Sequence, residues 1–199
     1  MRQRKPAGER KDQIAEITLG IIVQEGIEKF TAAEIAKRVE ISEGAIFRHF
    51  KTKNDIVLYI IKSIEHKFFE GSADFSGDPV ERLGQFFKKR ISVLFKNRNA
   101  MNVMFSDQFS KIAGSEGVAI IKEMREKSLK FVHSTLNDAF NAGLLKDGLD
   151  PDNLTVLILG SILSIYNSHL YTSLMKEREL KKISAGMWET WEKLIRRQS

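Results

Sequence analysis

Apolar residues recur along the chain at spacings of three and four, and no alternating run bounded by turn signals interrupts them. The pattern predicts an all-α protein with helices at 10–25, 32–39, 43–49, 53–70, 79–97, 100–109, 116–142, 151–174 and 177–197. The three prolines agree with it: Pro6 precedes the first helix, and Pro79 and Pro151 each follow an aspartate at a helix start. The one weakly packed connection is the glycine-bounded segment 71–77. It divides the chain into 1–70, an N-terminal arm, a three-helix module and a connecting helix, and 71–199, a larger helical bundle.

Within the first part, the segment from Thr31 to Phe50 carries the most information. Thr31 followed by Glu34 makes a capping box, and Ala32, Ile35, Ala36 and Val39 then line one face of a short helix. Ser42 caps a second short helix after a turn at Glu40 and Ile41. That helix buries Ile46 and Phe50 and turns Glu43, Gly44, Ala45, Phe47, Arg48 and His49 outward. Two short helices meeting at a tight turn form a helix-turn-helix. The first helix, with Ile14, Ile17, Ile21 and Ile22 on one face, supplies the support that so short a pair cannot give itself.

Here the chain resembles the N-terminal domain of the TetR family of bacterial repressors, through Thr31, Ile35-Ala36, Ser42, Phe47-Arg48-His49-Phe50 and Lys53. The likeness covers about the first quarter of the chain; the later helices match the family only in number, length and order. It departs twice. Glu40 stands where the family usually has glycine, which forces a non-glycine residue toward left-handed backbone. Phe47 stands for the usual tyrosine and lacks a hydroxyl for phosphate, leaving its ring to pack on sugar and phosphate groups or a thymine methyl. The resemblance implies that Glu43, Gly44, Ala45 and Arg48 lie where base edges are read. Arg48 would bond a guanine or a phosphate, and Glu43 a cytosine amino group. Thr31, His49 and Lys53 would contact the backbone of double-stranded DNA.

The net charge of +6 suits a polyanionic partner, but it is spread evenly: residues 1–55 hold 11 Lys/Arg against 9 Asp/Glu, and the rest 21 against 17. Charge alone therefore does not locate the DNA. The arm carrying Arg2, Arg4, Lys5, Arg10 and Lys11 either adds nonspecific affinity or is a solvated terminus. With no cysteine, no Gly-rich phosphate loop and no His-Glu-X-X-His motif, the sequence offers neither an enzyme's constellation nor a cofactor or metal site. No apolar run reaches the ~20 residues needed to span a bilayer, so the expectation is a soluble cytoplasmic protein.

Beyond residue 77 the helices are rich in Phe and Met, packing material first of all. Family members enclose a ligand among their middle helices, and by that resemblance Phe105, Phe109, Phe131 and Tyr166 are the candidates for contact with a small-molecule effector. Few acidic residues lie between Phe86 and Phe109, which favours an apolar or aromatic guest over a cationic ligand or a hard metal ion. His133 and His169 fit structural or surface roles better than ligand roles. Gly160, Ser164 and Ser168 form a small-residue stripe, and Leu180, Ile183, Met187, Trp191 and Leu194 recur along the last helix. In the family such helices form a four-helix interface, so a homodimer is expected. The functional expectation is a repressor that releases a pseudo-palindromic operator when its effector binds. The rival is a helical DNA-coating or interaction protein with no specific operator.

Overall fold

The computed structural model describes residues 6–104, 106, 109–166 and 177–198. Nine α-helices lie among them: α1 Ala7–Glu25, α2 Ala32–Val39, α3 Glu43–His49, α4 Lys53–Phe69, α5 Pro79–Lys96, α6 Arg98–Met104, α7 Phe109–Asn141, α8 Pro151–Tyr166 and α9 Glu177–Ile195. No strand occurs among the described residues, where pairing is limited to one isolated antiparallel bridge, Leu145 to Arg196. The all-α expectation holds.

Two features depart from the periodicity. α1 begins at Ala7, directly behind Pro6, rather than at 10, so Arg10 and Lys11 lie inside it, as the 10–25 helix places them, and not in a solvated arm. The fixed φ of Pro6 suits a helix start. The other is α7, which begins at Phe109 rather than at 116 and breaks its helical backbone at Gly114, with φ 61° and ψ −176°. Only glycine takes that conformation without strain.

The chain forms two compact units. The first joins the residues as far as His66 to 97–122. In it Ile14, Ile21, Ile35, Ile46, Ile56 and Ile61 are fully buried, each contributing about 1.5–3 kcal/mol of transfer free energy. The α1 helix lies against α2, α3 and α6. Asn54, with its amide nitrogen turned toward α7, donates to the carbonyls of Ile112 (2.8 Å) and Ala113 (3.2 Å), groups freed by the break at Gly114. One turn later Gly117 lets α7 lie on α4, since a Cβ there would stand 2.9 Å from Ile61 Cδ1 and 3.5 Å from Leu58 Cδ2.

The second unit comprises 67–96 and 123 onward. Its core holds Leu83, Phe87, Leu136, Ile158, Trp188 and Ile195, with α5 against α8 and α9. Asp78 and Glu81 close a full capping box at the start of α5: the Glu81 amide donates to Asp78 Oδ1 and the Asp78 amide to Glu81 Oε2, both at 2.9 Å. The same Asp78 accepts a bidentate pair from Arg196 at 2.7 and 3.2 Å, tying the end of the chain to the α5 start. Arg196 holds the Asp78 carboxyl below the usual carboxylate range.

Candidate nucleic-acid interface

The geometry of α2 and α3 follows from two caps and one strained residue. Thr31 Oγ1 accepts from the Glu34 amide at 3.1 Å, and Ser42 Oγ from the Ala45 amide at 3.2 Å. The reciprocal arm expected from Glu34 is not made. Its carboxylate turns to Arg38 Nε at 2.7 Å instead, while the Thr31 amide donates to Lys29 O at 2.8 Å. Arg38 in turn pairs with Glu25 at the end of α1, so it fastens α2 to its support.

Glu40 lies in left-handed backbone at φ 58°, ψ 50°, the one non-glycine residue with positive φ among those described. The conformation lets the Ile41 amide reach back to Ala36 O at 3.0 Å, which satisfies a terminal carbonyl of α2 and turns the chain sharply into α3.

On α3 the buried side is Ile46, with Phe50 buried just beyond the helix. Glu43, Gly44, Phe47 and Arg48 are exposed, and Ala45 and His49 are half-buried. Phe47 leaves 45% of its surface in solvent. Above Gly44 the space is open, because a Cβ there would meet nothing within 4 Å. The structure thus gathers six of the eight candidate residues on one short, rigidly seated helix.

The other two take different places. Thr31 spends an oxygen lone pair as the α2 cap and keeps its hydroxyl hydrogen for another partner. Lys53, at the start of α4, donates to Phe30 O at 3.0 Å and stands 5.2 Å from the centre of the Phe30 ring. Its ammonium therefore also has a structural role.

Around His49 the local charge is positive. Burial, and then Arg10, Lys11 and Arg48, depress its pKa below the ordinary histidine value. This local cluster was hidden by the even spread of charge along the sequence. Lys11 lies 5.5 Å from the Phe50 ring centre, and Asp12 accepts from the Tyr59 hydroxyl at 2.7 Å, which pushes the phenol up to about 12.

Of the effector candidates, Phe109 is buried in the first unit. Phe131 belongs to the second, stacked 4.9 Å from Phe86 and edge-on to Phe75 at 5.9 Å. Phe105 and the side chain of Tyr166 lie outside the described residues, as does His169. His133 is on the surface, bonded to Asp152 at 2.8 Å.

Sequence reasoning missed Arg90, which is buried on α5 among Phe68, Phe69 and Phe86. The signal was present, since Arg90 falls in the stripe Leu83, Phe86, Phe87, Ile91 and Leu94.

The α8 surface carries a further apolar patch, with Val156, Leu157 and Leu163 exposed around Gly160. On α9 Leu194 is exposed and Met187 and Trp191 are half-buried, whereas Trp188 points into the core. Trp191 Nε1 donates to Ser161 Oγ at 3.2 Å. Ser168 and the side chains of Leu180 and Ile183 lie outside the described residues. Among the described residues no helix is long and apolar enough to cross a membrane.

Residues 14–60 match the family of bacterial regulatory proteins described as tetR. The chain is 24% identical to the fatty acid metabolism regulator protein of Bacillus subtilis over 178 residues, covering 81% of this chain and 82% of that protein. A tetR-family regulatory protein from Rhodococcus superposes with a TM-score of 0.73 over 96% of this chain and 99% of the other, at 18% identity. The Bacillus subtilis regulator FadR, solved in complex with stearoyl-CoA, gives 0.68 over 92% and 98%, at 21% identity.

Proposed function

The chain belongs to the TetR family of bacterial regulatory proteins, and on that premise we propose that it is a homodimeric repressor that releases a pseudo-palindromic operator on binding a small apolar or aromatic molecule. The observation that carries this reading is the exposed face of α3. A helix anchored by Ile46 and Phe50 while presenting Glu43, Gly44, Phe47 and Arg48 to solvent is suited to the major groove.

The roles follow from chemistry. Arg48 offers a fork of donors to guanine or phosphate, and Glu43 an acceptor to cytosine. Open Gly44 and small Ala45 allow close approach, and Phe47 offers a ring to sugar or to a thymine methyl. Thr31, His49 and Lys53 lie on the phosphate-facing side of this assignment, with Arg10 and Lys11 adding charge from α1.

Residues 1–70 form the DNA-binding part and 71–199 the effector-binding and dimerisation part. The exposed apolar patch on α8 is what a second copy would cover, and an isologous contact of α8 and α9 would pair two copies of α3 for two half-sites about 34 Å apart. An effector with an apolar part agrees with the Phe-rich second unit and with the apolar stearoyl chain of the stearoyl-CoA bound to FadR. Regulation follows by linkage: an effector that favours a spacing of the α3 pair unfit for DNA weakens the operator complex by the factor by which the operator weakens effector binding.

Footprinting on DNA flanking the protein's own gene tests the reading. One protected pseudo-palindrome, lost on adding effector, is expected; uniform coverage of the fragment would identify a coating protein instead.

A further inference from the structure

From the surroundings of Arg90 we infer that the effector is an amphiphile with an anionic head, and that Arg90 binds its oxyanion, carboxylate or phosphate, while its apolar part packs on the phenylalanines of the second unit. The inference rests on the effector-binding reading above and adds an anionic head to the apolar molecule proposed there.

Arg90 is only 4% exposed. Its guanidinium carbon lies 4.5 Å from the ring centres of Phe68 and Phe69 and 4.7 Å from that of Phe86. Against five N–H donors it makes one hydrogen bond, from Nη2 to Ser128 Oγ at 3.1 Å, and that hydroxyl donates onward to Met124 O at 2.8 Å. Nη1 is buried with no hydrogen-bond partner, and no carboxylate of the described residues pairs with this guanidinium.

Burial alone pulls the Arg90 pKa down, to about 10, which still leaves the group charged at neutral pH. Three ring faces offset part of the desolvation of this cation. They supply no acceptor for Nη1. A buried cation without a counter-ion is unfavourable, and an apolar side chain of similar volume would serve packing better. A ligand oxyanion supplies the missing acceptor through a charge-assisted bond. The rings beside the guanidinium, continued by Phe131 stacked on Phe86, suit the apolar part of the same molecule.

Arg82, two turns earlier on α5, is a different case because Asp138 already accepts from its Nη2 at 3.1 Å. It serves as the control position.

The test uses the full-length protein and four twelve-carbon probes below their micellar concentrations: dodecanoate, dodecyl phosphate, 1-dodecanol and dodecylamine. Binding is read by calorimetry. At least one anion should bind ten-fold or more tighter than dodecanol, with dodecylamine weakest; preference for dodecanoate assigns a carboxylate, and preference for dodecyl phosphate a phosphate. Arg90→Met should remove the anion preference to within two-fold while leaving dodecanol affinity unchanged, Arg90→Lys should keep part of it, and Arg82→Gln should keep all of it.

Equal affinity for the anions and dodecanol, binding of none of the probes, or an anion preference that changes less than two-fold in a folded Arg90→Met protein would overturn the assignment. Operator titration of the same preparations separates the two readings. Specific DNA binding without anion preference removes only the Arg90 assignment, whereas anion preference without specific DNA binding removes the repressor.

Discussion

Replacing Gly84 by alanine sets two opposed effects against each other on α5. In a helix interior, glycine to alanine is worth about 1 kcal/mol of stabilisation through backbone entropy. At Gly84, however, the added Cβ would stand 2.7 Å from Trp188 Cε2, 3.1 Å from Cδ1 and closer still to Nε1. Carbon atoms at rest keep about 3.5–4.0 Å apart, so the ring must withdraw by roughly 1 Å. It has little freedom to do so: Trp188 is 3% exposed and packs against Phe87, with ring centres 5.8 Å apart.

Overpacking against a rigid group costs about 1–3 kcal/mol, and the planar indole belongs at the upper end. The net expectation for Gly84→Ala is a loss of about 1–2 kcal/mol. Gly20→Ala is the matched control, because a Cβ there meets nothing within 4 Å and only the helix term remains. It should gain about 0.5–1 kcal/mol.

Urea unfolding at one fixed protein concentration reads both as midpoint shifts at constant m, concentration being held because a dimer's stability depends on it. Opposite signs for the two substitutions are expected. If Gly84→Ala matched Gly20→Ala, α9 would not be seated on α5 through Trp188 and Gly84.

Three further outcomes concern function. Arg48→Ala should weaken operator binding by about 1–3 kcal/mol and relax preference at one base pair, as fluorescence anisotropy on operator variants would show; an equal loss on random DNA would assign Arg48 to phosphate. His49 is neutral in the free protein at neutral pH, its pKa depressed by burial and then by Arg10, Lys11 and Arg48, and nearby phosphates would raise it. Binding then takes up a proton, so DNA affinity should rise as pH falls from about 7.5 to 6, and His49→Asn should flatten that rise; an unchanged pH dependence would separate His49 from the phosphates. On α8, Ser164→Glu and Leu157→Glu each place like charges across the proposed twofold axis, and either should raise the dimer dissociation constant at least ten-fold in sedimentation equilibrium while leaving the helix content intact. An undisturbed dimer would move the interface elsewhere.

The helix-turn-helix was legible because its determinants are local. Thr31 and Ser42 cap within three residues, and Glu40 had to accept left-handed backbone once the turn was placed there. Apolar spacing likewise located α5, α8 and α9. It passed over side chains that break the polar-outside rule: Arg90 and Thr18 are charged or polar yet fill positions in buried stripes. Trp188 shows the same limit from the other side, since the spacing set out a stripe for association that includes Trp191 and gave no sign of Trp188, which the core takes through the space left by Gly84.

The break at Gly114 was invisible for another reason. Its freed carbonyls are satisfied by Asn54, some sixty residues earlier in the chain. The effector candidates rest on the family's likeness and on being aromatic, a criterion that does not distinguish a core phenylalanine such as Phe109 from one beside an unpaired cation.

The claim that α3 of a dimer reads a particular DNA sequence is tested most directly by titrating the protein on its footprinted pseudo-palindrome and on a scrambled duplex of equal length, in the same buffer and at two salt concentrations. A dimer reading bases should prefer the palindrome by roughly 10³-fold or more and keep that preference as salt rises. Affinities that agree within a few-fold and fall together steeply with salt would contradict the account and leave a protein that binds DNA by charge alone.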